Sequence, residues 1–156
     1  MGNQAIAYGA LAGGVQVAAG YPGTPSSEIM ATLVRLSKQH GFHTEWSVNE
    51  KVALEVAAGA AFAGARAFCT MKHVGLNVAA DPLMTLAYLG VPGSLVILVA
   101  DDPGPHSSQN EQDTRLFARF AKLPVLDPGT PQEALEVTRR AFDLSEDLKL
   151  PVIVRP

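Results

Sequence analysis

Cysteine is almost absent from this sequence. Cys69 stands alone, which excludes an internal disulfide and, with no second thiolate, a cysteine-ligated iron-sulfur cluster inside the chain. A reducing, cytoplasmic setting fits that usage. Aromatic residues make up only 6%, whereas alanine and glycine are abundant, so the elements are expected to pack through small residues. Charge of one sign is also lacking. The net charge is -3 and the 12 basic residues are scattered, so there is no basic stripe for a phosphate backbone and no nucleic-acid partner is expected. Long apolar runs are missing, and Met1-Gly2-Asn3-Gln4 lacks the charged start and apolar core of a signal peptide. A soluble protein with no membrane partner follows as the expectation.

What remains is a chain that is 47% hydrophobic over 156 residues, enough for one sizeable core and too short for two ordinary domains. Its Pro and Gly residues fall between apolar segments as loop punctuation, with no linker or repeat. A single domain spanning residues 1–156 is expected.

The segments alternate between helical and extended patterns. A helix from about Asn3 to Leu11 leads through Gly13-Gly14 into a strand over Val15 to Ala19. Thr24 is placed to cap a helix that begins at Pro25 and ends at Gly41. His43 to Ser47 reads as a second strand, and Asn49 as the cap of an Ala-rich helix that Gly64 stops. Arg66 to Met71 is a third strand, followed by a helix from about Val74 to Leu89 interrupted at Pro82. Ser94 to Ala100, apolar without a break, is the central strand of a sheet covered on both faces. A helix over Gln109 to Ala121, a short strand near Pro124 to Leu126, a helix opened by Thr130-Pro131-Gln132-Glu133 and a last strand over Pro151 to Val154 complete the series. The pattern predicts a three-layer α/β/α fold with a six-stranded, mainly parallel sheet. Ligands of such folds sit outside the carboxyl ends of the strands.

Four loops reach that edge: Tyr21 to Ser27, Val48 to Lys51, Met71 to Gly75, and Asp101 to Ser108. The first puts hydroxyls beside a helix N-terminus, a place for helix capping or for an anionic ligand. In the second, Glu50 suits the first helical turn on dipole grounds alone. Its neighbours Val48, Val52, Ala53, Leu54, Val56, Ala57 and Ala60 would also leave it partly desolvated, a setting in which a carboxyl group can share a proton. The third loop offers the cation of Lys72, the imidazole of His73 and the flexible backbone of Gly75. The fourth pairs Asp101 with Asp102 in a proline-rich turn that also holds His106, and no metal site is assigned to it. His40 and His43 flank a turn and need no function, and Trp46 reads as a packing residue.

The runs Gly20-Tyr21-Pro22-Gly23-Thr24-Pro25-Ser26-Ser27-Glu28, Glu45-Trp46-Ser47-Val48-Asn49-Glu50-Lys51, the Ala-rich stretch Ala57 to Gly64, Thr70-Met71-Lys72-His73-Val74-Gly75-Leu76-Asn77, and Val99 to Asp102 continuing through His106 to Asp113 resemble, in order and spacing, the N-terminal domain of the indolepyruvate ferredoxin oxidoreductase α subunit. The likeness covers essentially the whole chain. It implies the pyrimidine-binding domain fold of the thiamine diphosphate-dependent 2-oxoacid:ferredoxin oxidoreductases. In that family a glutamate at the position of Glu50 hydrogen-bonds the aminopyrimidine ring and so activates thiamine diphosphate. The resemblance implies cofactor contacts from Glu50, Gly75, Tyr21 and Pro22, and substrate contacts from Thr24, with Lys72, His73 and His106 as further pocket residues. It also implies oxidative decarboxylation of an aryl 2-oxoacid such as indolepyruvate, coenzyme A as acyl acceptor and ferredoxin as electron acceptor.

The sequence departs from the complete enzyme by lacking a Gly-Asp-Gly signature followed some thirty residues later by asparagine, and by lacking a cysteine-rich module. Mg2+ and 4Fe-4S clusters are therefore expected in partner domains. The chain reads as an excised domain or a separately encoded half, meeting a diphosphate-binding domain and a second subunit, and a homodimer is compatible with it. Two other readings stand beside this one: the α half of a two-subunit thiamine diphosphate-dependent 2-oxoacid decarboxylase, and a flavodoxin-like binding or assembly module without chemistry.

Overall fold

The computed structural model describes residues 1–156. Six strands form one sheet: β1 (Val17–Gly20), β2 (His43–Trp46), β3 (Arg66–Lys72), β4 (Ser94–Ala100), β5 (Val125–Leu126) and β6 (Val152–Val154). Seven helices connect them: α1 (Gly2–Ala12), α2 (Ser27–His40), α3 (Glu50–Phe62), α4 (His73–Val78), α5 (Ala80–Leu89), α6 (Thr114–Ala121) and α7 (Pro131–Leu148). The strand order is β2-β1-β3-β4-β6-β5, and every pairing is parallel, a stricter arrangement than the mainly parallel one expected.

Strand alternation sorts the core into two layers. Leu95, Ile97 and Val99 of β4 face α3, α5 and α6, whereas Val96, Leu98 and Ala100 face α1, α2 and α7. All seven residues of β4 are buried, which is why its sequence carries no polar alternation. Small residues set the layer spacing. A Cβ on Gly9 would lie 2.5 Å from the Leu135 carbonyl oxygen, so α1 and α7 approach to backbone contact. On the same side Phe142 stacks against Phe68, ring centroids 6.4 Å apart.

Several element boundaries differ from the sequence reading. The first strand begins at Val17, because Val15 belongs to the turn after α1 and donates its N–H to the Ala10 carbonyl. Thr24 does not cap α2. That helix begins at Ser27, and residues 23–27 form a separate turn in which the Gly23 N–H donates to Ser27 Oγ at 2.8 Å and Ser26 Oγ donates to the Gly23 carbonyl at 2.8 Å. The break between α4 and α5 falls at Ala79 rather than at Pro82. Pro82 occupies the first turn of α5, where its missing N–H has no intrahelical partner to lose. The helix expected from Gln109 begins at Thr114, capped by Asp113, whose carboxylate accepts from the Arg115 N–H at 3.0 Å. Trp46 is 42% exposed on the edge strand β2 and is not a core residue.

Candidate functional site

The carboxyl ends of β1, β3 and β4 carry the loops that hold the polar residues, as the parallel topology requires. Asn49 fixes the start of α3: its backbone is extended and its side chain accepts from the Val52 N–H at 2.9 Å. Glu50 is thereby the first helical residue, held at the mouth of the sheet. It is 9% exposed, and the ion pairs of the fold do not include it. Val48 does not contribute to this shelter, being exposed itself, whereas Ala53, Leu54 and Ala57 are buried beneath it.

Gly75 of α4 packs directly against this carboxylate. A Cβ at position 75 would stand 2.5 Å from Glu50 Cγ and 2.6 Å from Oε1, so any larger residue there would push the acid out of this position. Beneath lies Cys69 of β3. Burial pushes its thiol up, and the nearby negative charge of Glu50 adds to the effect.

On the opposite face of β3, Thr70 and Lys72 alternate with Cys69 and Met71. The Lys72 stem runs over Gly23, where a Cβ would meet its Cδ at 2.9 Å, and its ammonium donates to the Ser107 carbonyl at 3.1 Å. The next residue, His73, is 1% exposed; its Nε2 donates to the Asn110 carbonyl at 3.0 Å, which leaves Nδ1 buried without a partner. Thr70 Oγ1 is likewise buried and unpartnered, below the loop that begins at Tyr21. Tyr21, Pro22, Thr24 and His106 are exposed at this edge.

The loop from Asp101 to Asp113 is tied down at several points. Asp102 accepts from the Ser107 N–H at 2.9 Å and from Ser108 Oγ at 2.8 Å, and these bonds hold its carboxyl down at about 2. Asp101 accepts from the Thr114 hydroxyl and, at 2.7 Å, from Arg155 Nε. Both aspartates are thus engaged by protein donors, and no group of three or more His, Cys, Asp or Glu is disposed to hold a metal ion. His40 and His43 lie away from this edge, His43 only 3.8 Å from Glu45 on β2.

Glu50, Gly75, Lys72 and His73 therefore converge on the end of β3, with Thr24 and His106 on the loops to either side. Thr70 escaped the sequence reading, although alternation along β3 places it on the Lys72 face. The Ser107 and Asn110 carbonyls escaped it too, since backbone acceptors leave no mark in composition. A 730 Å³ depression lined by Tyr88, Leu116 and Phe120 lies between α5 and α6, apart from this group.

Comparison with known proteins gives this arrangement its context. The family described as "Pyruvate flavodoxin/ferredoxin oxidoreductase, thiamine diP-bdg" matches residues 8–155. The chain belongs to that family. Among curated relatives, the indolepyruvate oxidoreductase subunit IorA of Methanothermobacter thermautotrophicus is 57% identical over 155 residues, covering 99% of this chain and 25% of the relative. The subunit of that name from Archaeoglobus fulgidus is 56% identical over 159 residues, covering 99% of this chain and 26% of the relative. The chain thus spans about a quarter of the length of these curated relatives. The fold matches a solved 2-oxoglutarate:ferredoxin oxidoreductase from Magnetococcus marinus with a TM-score of 0.85 at 21% identity, over 99% of this chain and 28% of that one. No helix is long and apolar enough to cross a membrane.

Proposed function

We propose that this chain is the pyrimidine-binding domain of a thiamine diphosphate-dependent indolepyruvate:ferredoxin oxidoreductase, and that Glu50 is the residue that activates the cofactor. The observation that carries the reading is the Glu50 carboxylate itself, sheltered at the strand ends, outside every ion pair, and set against a glycine where a Cβ would displace it. A buried carboxylate without a protein donor is costly unless a ligand supplies one. An aminopyrimidine ring does so through its protonated ring nitrogen. The carboxylate has no protein donor and the glycine beside it leaves its oxygens uncrowded, so the residues present fit the group.

Thiamine diphosphate, when bound, supplies the thiazolium C2 nucleophile for attack on a 2-oxo carbon. The contribution of this chain is to hold and share a proton. Glu50 binds the ring nitrogen and favours the tautomer whose exocyclic nitrogen acts as a base. Gly75 lets α4 pack close against that acid. Tyr21 and Pro22 border the same edge, and Thr24, His73 and His106 surround the position of the substrate. In this reading the grip on the diphosphate, its Mg2+, the 4Fe-4S clusters, coenzyme A and the ferredoxin contact belong to other domains and to a second subunit. The 57% identity to an indolepyruvate oxidoreductase subunit supports an aryl 2-oxoacid as substrate.

Glu50→Gln in the assembled enzyme tests the reading. It keeps the shape and removes the shared proton, and turnover is expected to fall by about 10²–10⁴-fold, the usual contribution of a positioned acid-base group, with the fold intact. Turnover near wild type would remove Glu50 from the chemistry.

A further inference from the structure

Lys72 is a feature of the site that the activation of the cofactor does not use. It is 9% exposed, and its ammonium has a single hydrogen bond, to the Ser107 carbonyl at 3.1 Å. An ammonium has three donors, so two are left without a protein acceptor. No carboxylate pairs with it: the ion pairs of the fold engage Lys51, Arg66, Arg115, Arg139, Arg155 and His43 instead. The nearest loop acids are committed elsewhere, Asp101 to Thr114 and Arg155, Asp102 to Ser107 and Ser108. Holding the Ser107 carbonyl would need only a neutral donor, and burying a full charge for that purpose costs free energy. The side chain is also aimed. Gly23 leaves a slot for its stem, in which a Cβ would fall 2.9 Å from Cδ, and this brings the ammonium between the loop of Thr24 and the loop of His106.

We propose that Lys72 is the receptor for the carboxylate of the 2-oxoacid, which it holds at the end of β3 on the face opposite Glu50. The proposal rests on the thiamine-dependent reading of the site. The carboxylate would complete the hydrogen bonding of the ammonium and neutralise it. That carboxylate departs as uncharged carbon dioxide, so the contact is strongest in the bound substrate and fades as the carbon-carbon bond breaks. Lys72 therefore serves binding rather than the chemical step, and its loss is expected to raise KM while leaving kcat level or slightly higher.

The test uses the full-length enzyme assembled with its second subunit. Lys72→Met is expected to raise KM for indolepyruvate by about 10–100-fold, the scale of one charge-assisted hydrogen bond. Competitive inhibition by indole-3-propionate should weaken by a similar factor, whereas the uncharged indole-3-propionamide should bind as before. Lys72→Arg, which keeps the charge, should retain the preference for the acid. Equal weakening of acid and amide in Lys72→Met would reduce Lys72 to a loop anchor and overturn the proposal, as would a loss of preference in Lys72→Arg equal to that in Lys72→Met. Selective weakening of thiamine diphosphate relative to thiamine would make the diphosphate the anion and equally overturn it. Exchange of the C2 proton of the bound cofactor with deuterium, measured without substrate, reports on cofactor activation independently of the substrate carboxylate. Normal exchange in Glu50→Gln would sink the cofactor reading, whereas an unchanged KM in Lys72→Met would sink only the carboxylate assignment.

Discussion

Replacing Gly75 by alanine would place a methyl carbon 2.5 Å from Glu50 Cγ, 2.6 Å from Oε1 and 2.8 Å from Cδ. Carbon atoms in contact rest about 3.5–4.0 Å apart, so the acid must retreat by about 1 Å or α4 must lift by as much. Overpacking of this kind typically costs about 1–3 kcal/mol of stability. The effect on function is expected to be larger, because a misplacement of about 1 Å in a positioned catalytic group can cost about 10²-fold in rate. Exchange of the C2 proton of thiamine diphosphate in the assembled enzyme measures that rate directly, and urea melts measure the stability. A double-mutant cycle isolates the contact. In a Glu50→Ala background the three atoms that the alanine at 75 would meet first are gone, so its stability cost should largely vanish. Wild-type exchange in Gly75→Ala, or a cost that persists without the Glu50 side chain, would refute the claim that Gly75 is there to accommodate the acid.

Two further outcomes concern the scaffold. The Asp102 carboxyl is held down at about 2 in the folded state by its bonds to Ser107 and Ser108, below the ordinary aspartate value of about 3.9. Its contribution is therefore fully present above pH of about 4 and is lost as the pH falls through about 2. In Asp102→Asn, the protection of amides in residues 103–108, taken relative to the intrinsic exchange rate at each pH, should be lower at pH 6 and should no longer fall between pH 4 and 2, as followed by mass spectrometry. Phe142→Ala removes a fully buried ring stacked on Phe68 and should cost about 3–5 kcal/mol in urea melts.

The parts of the fold that local sequence determines were the readable ones. Ser94 to Ala100 declared itself because both faces of β4 are covered and no polar residue interrupts it. Asn49 and Thr130 act as caps because capping depends on the residue and its next few neighbours. The Glu133 carboxylate accepts from the Gly129 N–H, one residue before the cap, at 2.8 Å. The errors arose where tertiary contacts overrode local preference. Residues 109–113 have helix-compatible side chains, but the Asn110 carbonyl is taken by His73 and the Glu111 carboxylate by the Gly104 N–H. Neither contact can be read locally. The edge position of Trp46 and the break at Ala79 carry no local signal either.

The site divides in the same way. That four strand-end loops would meet follows from parallel topology, and Glu50, Lys72 and His73 were legible on that ground. That Gly75 touches Glu50 itself depends on how α4 is set against α3, which no spacing reveals. The same holds for Lys72: its residue type was visible, whereas its burial without an acidic partner required coordinates.

The solitary thiol of Cys69 lies under the floor that carries Glu50, wholly enclosed and kept protonated by its surroundings. Alkylating reagents and oxidants act on exposed thiolates, so in the closed molecule this sulfur is inert. Its labelling rate is consequently a built-in gauge of how often α3 and β3 part, readable with no engineered probe and with no second cysteine among residues 1–156.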